Sequence, residues 1–126
     1  GYINTFLANS KALESIHVRG TDAVLIVDVP GESSLEDIGI QNKNIASISL
    51  ISPTTDNDRI QKICRSSSGF IYYVTLRGVT GASNLNENEI QTNILNIKNS
   101  TNLPVLAGFG IKTVSDARAL SQISDG

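Results

Sequence analysis

Four short, nearly unbroken apolar runs, Ala23 to Val29, Ile48 to Ile51, Phe70 to Leu76 and Val105 to Ala107, constrain this chain more than any other feature. Runs of this length without an alternating polar face are what strands look like when a parallel sheet buries both of their faces. Segments of helical spacing follow them: Ile60, Ile63 and Ser67, then Ile90, Ile94, Leu95 and Ile97, then Val114, Ala117, Leu120 and Ile123. Strand and helix alternate with a repeat of roughly 25 to 30 residues, for which right-handed parallel crossovers are the expected connection. The class is therefore α/β, and the pattern alone leaves open whether the sheet stays open or closes into a barrel.

Capping chemistry marks the helix starts. Ser33 and Glu36, Thr55 and Asp58, and Thr113 and Asp116 each stand three residues apart, so that a side-chain oxygen can accept an orphan amide of the first turn. Each such cap is worth roughly 1 kcal/mol.

Composition excludes several classes. With 126 residues, 40% hydrophobic, 17% charged and a formal net charge of −2, the chain is one domain or part of one. No apolar run approaches the ~20 residues of a membrane span, and the N-terminus lacks the basic-then-apolar pattern of a signal peptide, so a cytoplasmic location is expected. The ten basic residues are scattered and form no nucleic-acid patch. Cys64, the single cysteine, lies beside Ile60 and Ile63 in DRIQKICR and reads as a buried thiol, with no internal disulfide available to it. His17, the single histidine, stands near the end of a helical stretch, and no metal site of usual spacing exists.

Two of the apolar runs empty into glycine loops. FIYYVTLRGVTGA, from Phe70 to Ala82, ends on Gly78 and Gly81, and LPVLAGFG, from Leu103 to Gly110, closes on Gly108 and Gly110 around Phe109. Glycine lets backbone amides approach an anion and admits positive φ without a Cβ clash, so the pair reads as one shared phosphate site at the carboxyl ends of two strands. For each glycine singly, the alternative is a tight strand-to-helix turn.

GFIYYVTLRGVTGA and LPVLAGFGI, with the upstream LIVDVP and ISPTTD, resemble the α subunit of tryptophan synthase over nearly the whole chain. That family folds as an eight-stranded β/α barrel of about twice this length. The resemblance implies a single partial barrel domain over residues 1–126, covering about strands 3 to 7 with their helices and lacking the first two strands and the last. Gly1 to Asn4 would be the tail of a cut strand, and Ile123 to Gly126 the turn before another. An arc that does not close leaves unpaired strand edges, so the isolated chain is expected to associate.

The resemblance also implies a function. The whole enzyme would be a lyase of tryptophan biosynthesis, cleaving indole-3-glycerol phosphate to indole and glyceraldehyde 3-phosphate without a cofactor. Its partner would be the β subunit, which carries pyridoxal phosphate, in a heterotetramer. Carried onto this sequence, Leu25, Leu50, Tyr72 and Phe109 would hold the indole ring, and Thr80 would act from a loop that closes over substrate. Gly81, Gly110 and Ile111 would offer amides to the phosphate. Asp28 would support the site, Arg77 has no role beyond a solvated charge, and the two catalytic carboxylates are expected upstream of Gly1, so no catalytic residue is assigned here. Two other readings stand beside this one: another phosphate-binding barrel enzyme, and a non-catalytic remnant that binds phosphate or a partner.

Overall fold

The computed structural model describes residues 2–4, 8, 20–39, 44–74, 84–108 and 110–126, with backbone alone at 84–87. Four strands, β1 (Ala23–Leu25), β2 (Ala46–Ile51), β3 (Ile71–Val74) and β4 (Val105–Gly108), form one sheet in the order β1-β2-β3-β4. All neighbours are parallel, with Leu25 opposite Ile48, Leu50 opposite Tyr72 and Tyr72 opposite Leu106. Helices α1 (Asn57–Ser66) and α2 (Asn84–Ser100) make the crossovers from β2 to β3 and from β3 to β4, and α3 (Val114–Ser121) follows β4. Because the order never reverses and such crossovers are right-handed, successive helices fall on the same face of the sheet.

The core lies between that face and the helices. Ile51, Ile71, Tyr73 and Val105 from the strands meet Ile60, Ile63, Ile94, Ile97 and Leu120 from the helices. Tyr73 is wholly buried, and its hydroxyl accepts a hydrogen bond from Asn93 of α2 at 3.0 Å. Burial pushes its phenol pKa up, against the opposing effect of that hydrogen bond. Cys64 is buried in the same cluster, and desolvation raises its thiol pKa, which keeps it in the unreactive form.

Strands buried on both faces are not what the structure shows. Burial alternates along β2 and β3, full on the helix side and partial on the other. The opposite face, with Leu25, Ile48, Leu50, Tyr72 and Leu106, is only half-buried. The first run is also shorter than its apolar composition implies: pairing stops at Leu25, and the chain turns through Val27 to Glu32, where Pro30 has no amide to give.

Those turns pack on α1. The Ser66 hydroxyl donates to the Gly31 carbonyl at 2.9 Å, and Arg59 pairs with Glu32 at 2.6 Å, holding the Glu32 carboxyl below its usual range. The expected pair Ser33 and Glu36 gives way to Ser34 and Asp37, which bond reciprocally at 2.8 and 3.2 Å in a turn. The α1 cap likewise shifts by one residue. Asp56 accepts from the Arg59 amide at 2.9 Å, while the Thr55 hydroxyl serves the Ser52 amide in the preceding turn. Ile3 and Asn4 are helical and not the tail of a strand, since the Asn4 carbonyl accepts from the Ala8 amide at 3.0 Å and the Ile3 amide donates to Asp28 at 2.7 Å.

Asp125 closes the other end. Its carboxylate accepts from the Val105 amide at 2.8 Å and from Lys98 at 2.9 Å. The last two residues run along the free edge of β4, with Asp125 N–H donating to the Val105 carbonyl and Ala107 N–H to the Gly126 carbonyl, both at 2.8 Å. The Val105 amide and, after it, Lys98 hold the Asp125 carboxyl below its ordinary value of 3.8. A depressed carboxylate contributes stability above its unfolded pKa and loses it as pH falls through the folded one. Urea midpoints of the native chain therefore drop as pH is lowered through and below 3.8, and Asp125→Asn flattens that part of the profile; an unchanged slope would contradict the clasp.

Candidate functional site

The candidate site is the sheet face away from the helices, together with the turn that leaves the carboxyl end of β4. Leu25 ends β1, and Leu50 and Tyr72 stand directly opposite each other in β2 and β3, so parallel register puts all three side chains on that one half-buried face. Phe109, Thr80, Gly81, Gly78 and Arg77 lie outside the described residues, as does His17.

Tyr72 leans across its neighbour strand onto Gly108. A Cβ built on Gly108 would overlap the phenol, coming within 2.5 Å of its Cζ and 2.6 Å of its Cε2. Gly108 has no positive φ, so its glycine is required by the ring that crosses it and not by backbone conformation. Gly110 is the converse case. Its φ of +73° is left-handed, and it turns the chain from β4 toward α3.

The head of α3 is the best-defined part of the site. Thr113 is the N-cap, its hydroxyl accepts from the Asp116 amide at 3.1 Å, and the Asp116 carboxylate returns bonds to the amides of Thr113 at 3.0 Å and Lys112 at 3.1 Å. The Lys112 amide is the largest influence holding the Asp116 carboxyl below its usual range, followed by the Thr113 hydroxyl and amide. The amides of Gly110 and Ile111 have no acceptor among the described residues, and the Ile111 side chain is exposed. Two consecutive amides without an acceptor among the described residues, at a left-handed glycine and the residue after it, are suited to an anion.

Of the carboxylates at this edge, Asp28 is engaged by the Ile3 amide. A cleft of about 170 Å³ lies under the turns after β1 and is lined in part by Val29, Leu35, Ile38 and Leu50. Of its polar residues, Ser49 is paired with Ser67 and Arg59 with Glu32. Among the described residues no group of histidine, cysteine and acidic side chains could hold a metal, and no helix is long and apolar enough to cross a membrane. The sequence reading anticipated the Thr113 and Asp116 box but missed the Tyr72 and Gly108 contact and the Asp125 clasp. The contact could have been sought from the lone glycine at the end of an otherwise bulky strand.

Comparison with known proteins agrees over the whole chain. A family model described as tryptophan synthase alpha chain matches residues 1–126. The tryptophan synthase alpha chain of Acinetobacter baumannii (strain ATCC 17978) is 39% identical over 128 residues, covering 99% of this chain and 48% of that protein. That of Janthinobacterium sp. (strain Marseille) is 37% identical with the same coverage. Among solved structures, the tryptophan synthase subunit alpha from Campylobacter jejuni superposes with a TM-score of 0.86 at 29% identity, over 99% of this chain and 52% of that one. A Pyrococcus furiosus structure, described as bearing on the mutual activation of a tryptophan synthase a2b2 complex, superposes at 0.78 with 24% identity over 99% of this chain and 51% of that one, and so speaks to fold alone. The chain spans about half the length of the curated relatives it matches. Its sequential parallel strands and outer helices are a part of the β/α barrel, and the chain belongs to the tryptophan synthase alpha chain family.

Proposed function

We propose that residues 1–126 form a single partial barrel domain contributing one wall and one phosphate loop to a lyase that cleaves indole-3-glycerol phosphate into indole and glyceraldehyde 3-phosphate. The observation that carries this reading is the placement of Leu25, Leu50 and Tyr72 on one open face that leads, through Gly108, to the amides of Gly110 and Ile111, which have no acceptor among the described residues. An apolar, aromatic wall suits an indole ring, and paired amides at a strand's carboxyl end suit a phosphate. The resemblance assigns Phe109 to the same indole wall, Gly81 to the phosphate and Thr80 to closure over substrate, all three outside the described residues. The retro-aldol step protonates the indole ring carbon, removes the proton of the glycerol hydroxyl next to it, and breaks the bond between that ring carbon and the glycerol carbon bearing the hydroxyl, which becomes the aldehyde. No residue of this chain is assigned those proton transfers, and the subunit requires no cofactor. Indole passes to a β subunit carrying pyridoxal phosphate, in a heterotetramer in the cytoplasm.

The test is a chimera in which this sequence replaces the matched half of the Campylobacter jejuni subunit. Indole release from indole-3-glycerol phosphate is the expected result, and Tyr72→Ala in the same chimera raises KM about tenfold, the loss of roughly 1.4 kcal/mol of binding. A folded chimera that releases no indole overturns the lyase reading. A second reading, a phosphate-binding remnant, draws on the engagement of Asp28 by the Ile3 amide, which leaves that strand-end carboxylate committed to structure. Phosphate binding by a folded but inactive chimera would favour it.

A further inference from the structure

We propose that the cleft between β1, β2 and the segment after β1 binds a small neutral molecule with a monocyclic aromatic body and one hydroxyl, anchored by Ser47. Burial alternates along β2, so Ser47, Ser49 and Ile51 share the helix side of the sheet, and parallel register sets Ser47 against the buried Val24 of β1. Elsewhere that side carries the bulky Ile71, Tyr73 and Val105. Two serines in such positions leave volume that Leu35 and Ile38 do not fill, and the result is the cleft of about 170 Å³ that these residues line.

Ser47 is 7% exposed, and its backbone is engaged: the amide donates to the Ser68 hydroxyl at 2.9 Å, and the carbonyl accepts from the amides of Ser68 and Gly69 at 3.2 and 2.9 Å. Its own hydroxyl has no partner among the described residues, whereas Ser49 accepts from the Ser67 hydroxyl at 2.7 Å. Burying a hydroxyl without a hydrogen bond is costly. Among the described residues no fully enclosed side-chain polar atom lacks a partner, so the Ser47 hydroxyl opens onto the space that the residue lines, which is the cleft. Size and charge then fix the class of ligand. An apolar cavity of about 150 Å³ holds benzene, so this cleft accommodates one six-membered ring. Arg59, the charged residue of the lining, is closed in its pair with Glu32, and an ion would enter uncompensated. Neither Leu25 nor Tyr72 lines the cleft, because neighbouring residues of a strand point to opposite sides, and the site is therefore separate from the open face.

Phenol and benzene are the probes, since they differ only in the hydroxyl that Ser47 would meet. Titration of the chain with each, read on the amide resonances of Val24, Leu35 and Ser47, is expected to give saturable shifts for both, with phenol the tighter. Ser47→Ala keeps the apolar walls and removes the anchor. It is expected to weaken phenol about fivefold, the worth of one net hydrogen bond, and to leave benzene unchanged. No saturable shift at these amides overturns the inference, as do shifts confined to the amides of Tyr72 and Leu106 on the open face. Phenol binding that Ser47→Ala leaves unchanged, or phenol and benzene weakened alike, overturns the anchoring role of Ser47.

Discussion

Gly108→Ala is expected to lower stability by about 1 to 3 kcal/mol, the usual range for forcing a methyl into a filled site. A Cβ at that position meets the Tyr72 ring well inside van der Waals contact, and β3 and β4 are paired from Ile71 and Val105 to Val74 and Gly108, so the backbone cannot yield without disturbing that pairing. Either the ring leaves the open face or β4 shifts. The partner variant Tyr72→Ala removes the obstacle, so the double variant should be more stable than the sum of the two single effects allows. A double-mutant cycle from urea midpoints measures this directly, with a coupling of about 1 to 2 kcal/mol expected; additivity within about 0.5 kcal/mol would mean that the ring does not sit there.

The second large effect lies on α2. Ile94 is fully buried in the core cluster, and Ile94→Ala removes three carbons from a packed site, at a cost of about 2 to 5 kcal/mol. Its neighbour Leu95 is half exposed, and Leu95→Ala should stay within about 0.5 kcal/mol of the parent. Thermal or urea unfolding of the two variants side by side is the check. Comparable losses would mean that α2 is rotated about its axis from the orientation described.

That pair shows what was legible in the sequence. With about 100° of turn per residue, Ile90, Ile94 and Ile97 share one face and Leu95 falls well off it, so grouping all four by hydrophobicity overstated the buried stripe. On α3 the error ran the other way. Val114 and Ala117 are exposed, whereas Asp116 and Leu120 are buried, and a buried carboxylate engaged by amides is invisible to any apolar pattern. The GESSLED segment contains two serine-to-acid pairs at the same spacing, and sequence alone has no means of ranking Ser33 with Glu36 against Ser34 with Asp37. Strand existence and parallel order followed from the four apolar runs and the length between them. The alternation of burial did not, because it reflects what faces the sheet and not what the strands are made of.

At the site, composition located the two glycines at the end of β4 but assigned them one job. The structure divides the work, with Gly108 making room for an aromatic ring and Gly110 reversing the backbone. Close approach is a property of two chain segments, and neither Tyr72 nor Gly108 announces it alone.

The margins of the sheet are not equivalent. Along β4 the seam is already begun, since Asp125 and Gly126 bond its backbone while the Asp125 carboxylate pins the first β4 amide. Among the described residues β1 carries no strand on its outer side. Growth of this wall is therefore directional: chain running on from Gly126 enters with its alignment to β4 dictated by two residues, like a zipper whose first teeth are engaged. At β1 no described strand sets such an alignment from the outer side, so the two margins would meet further chain in different ways.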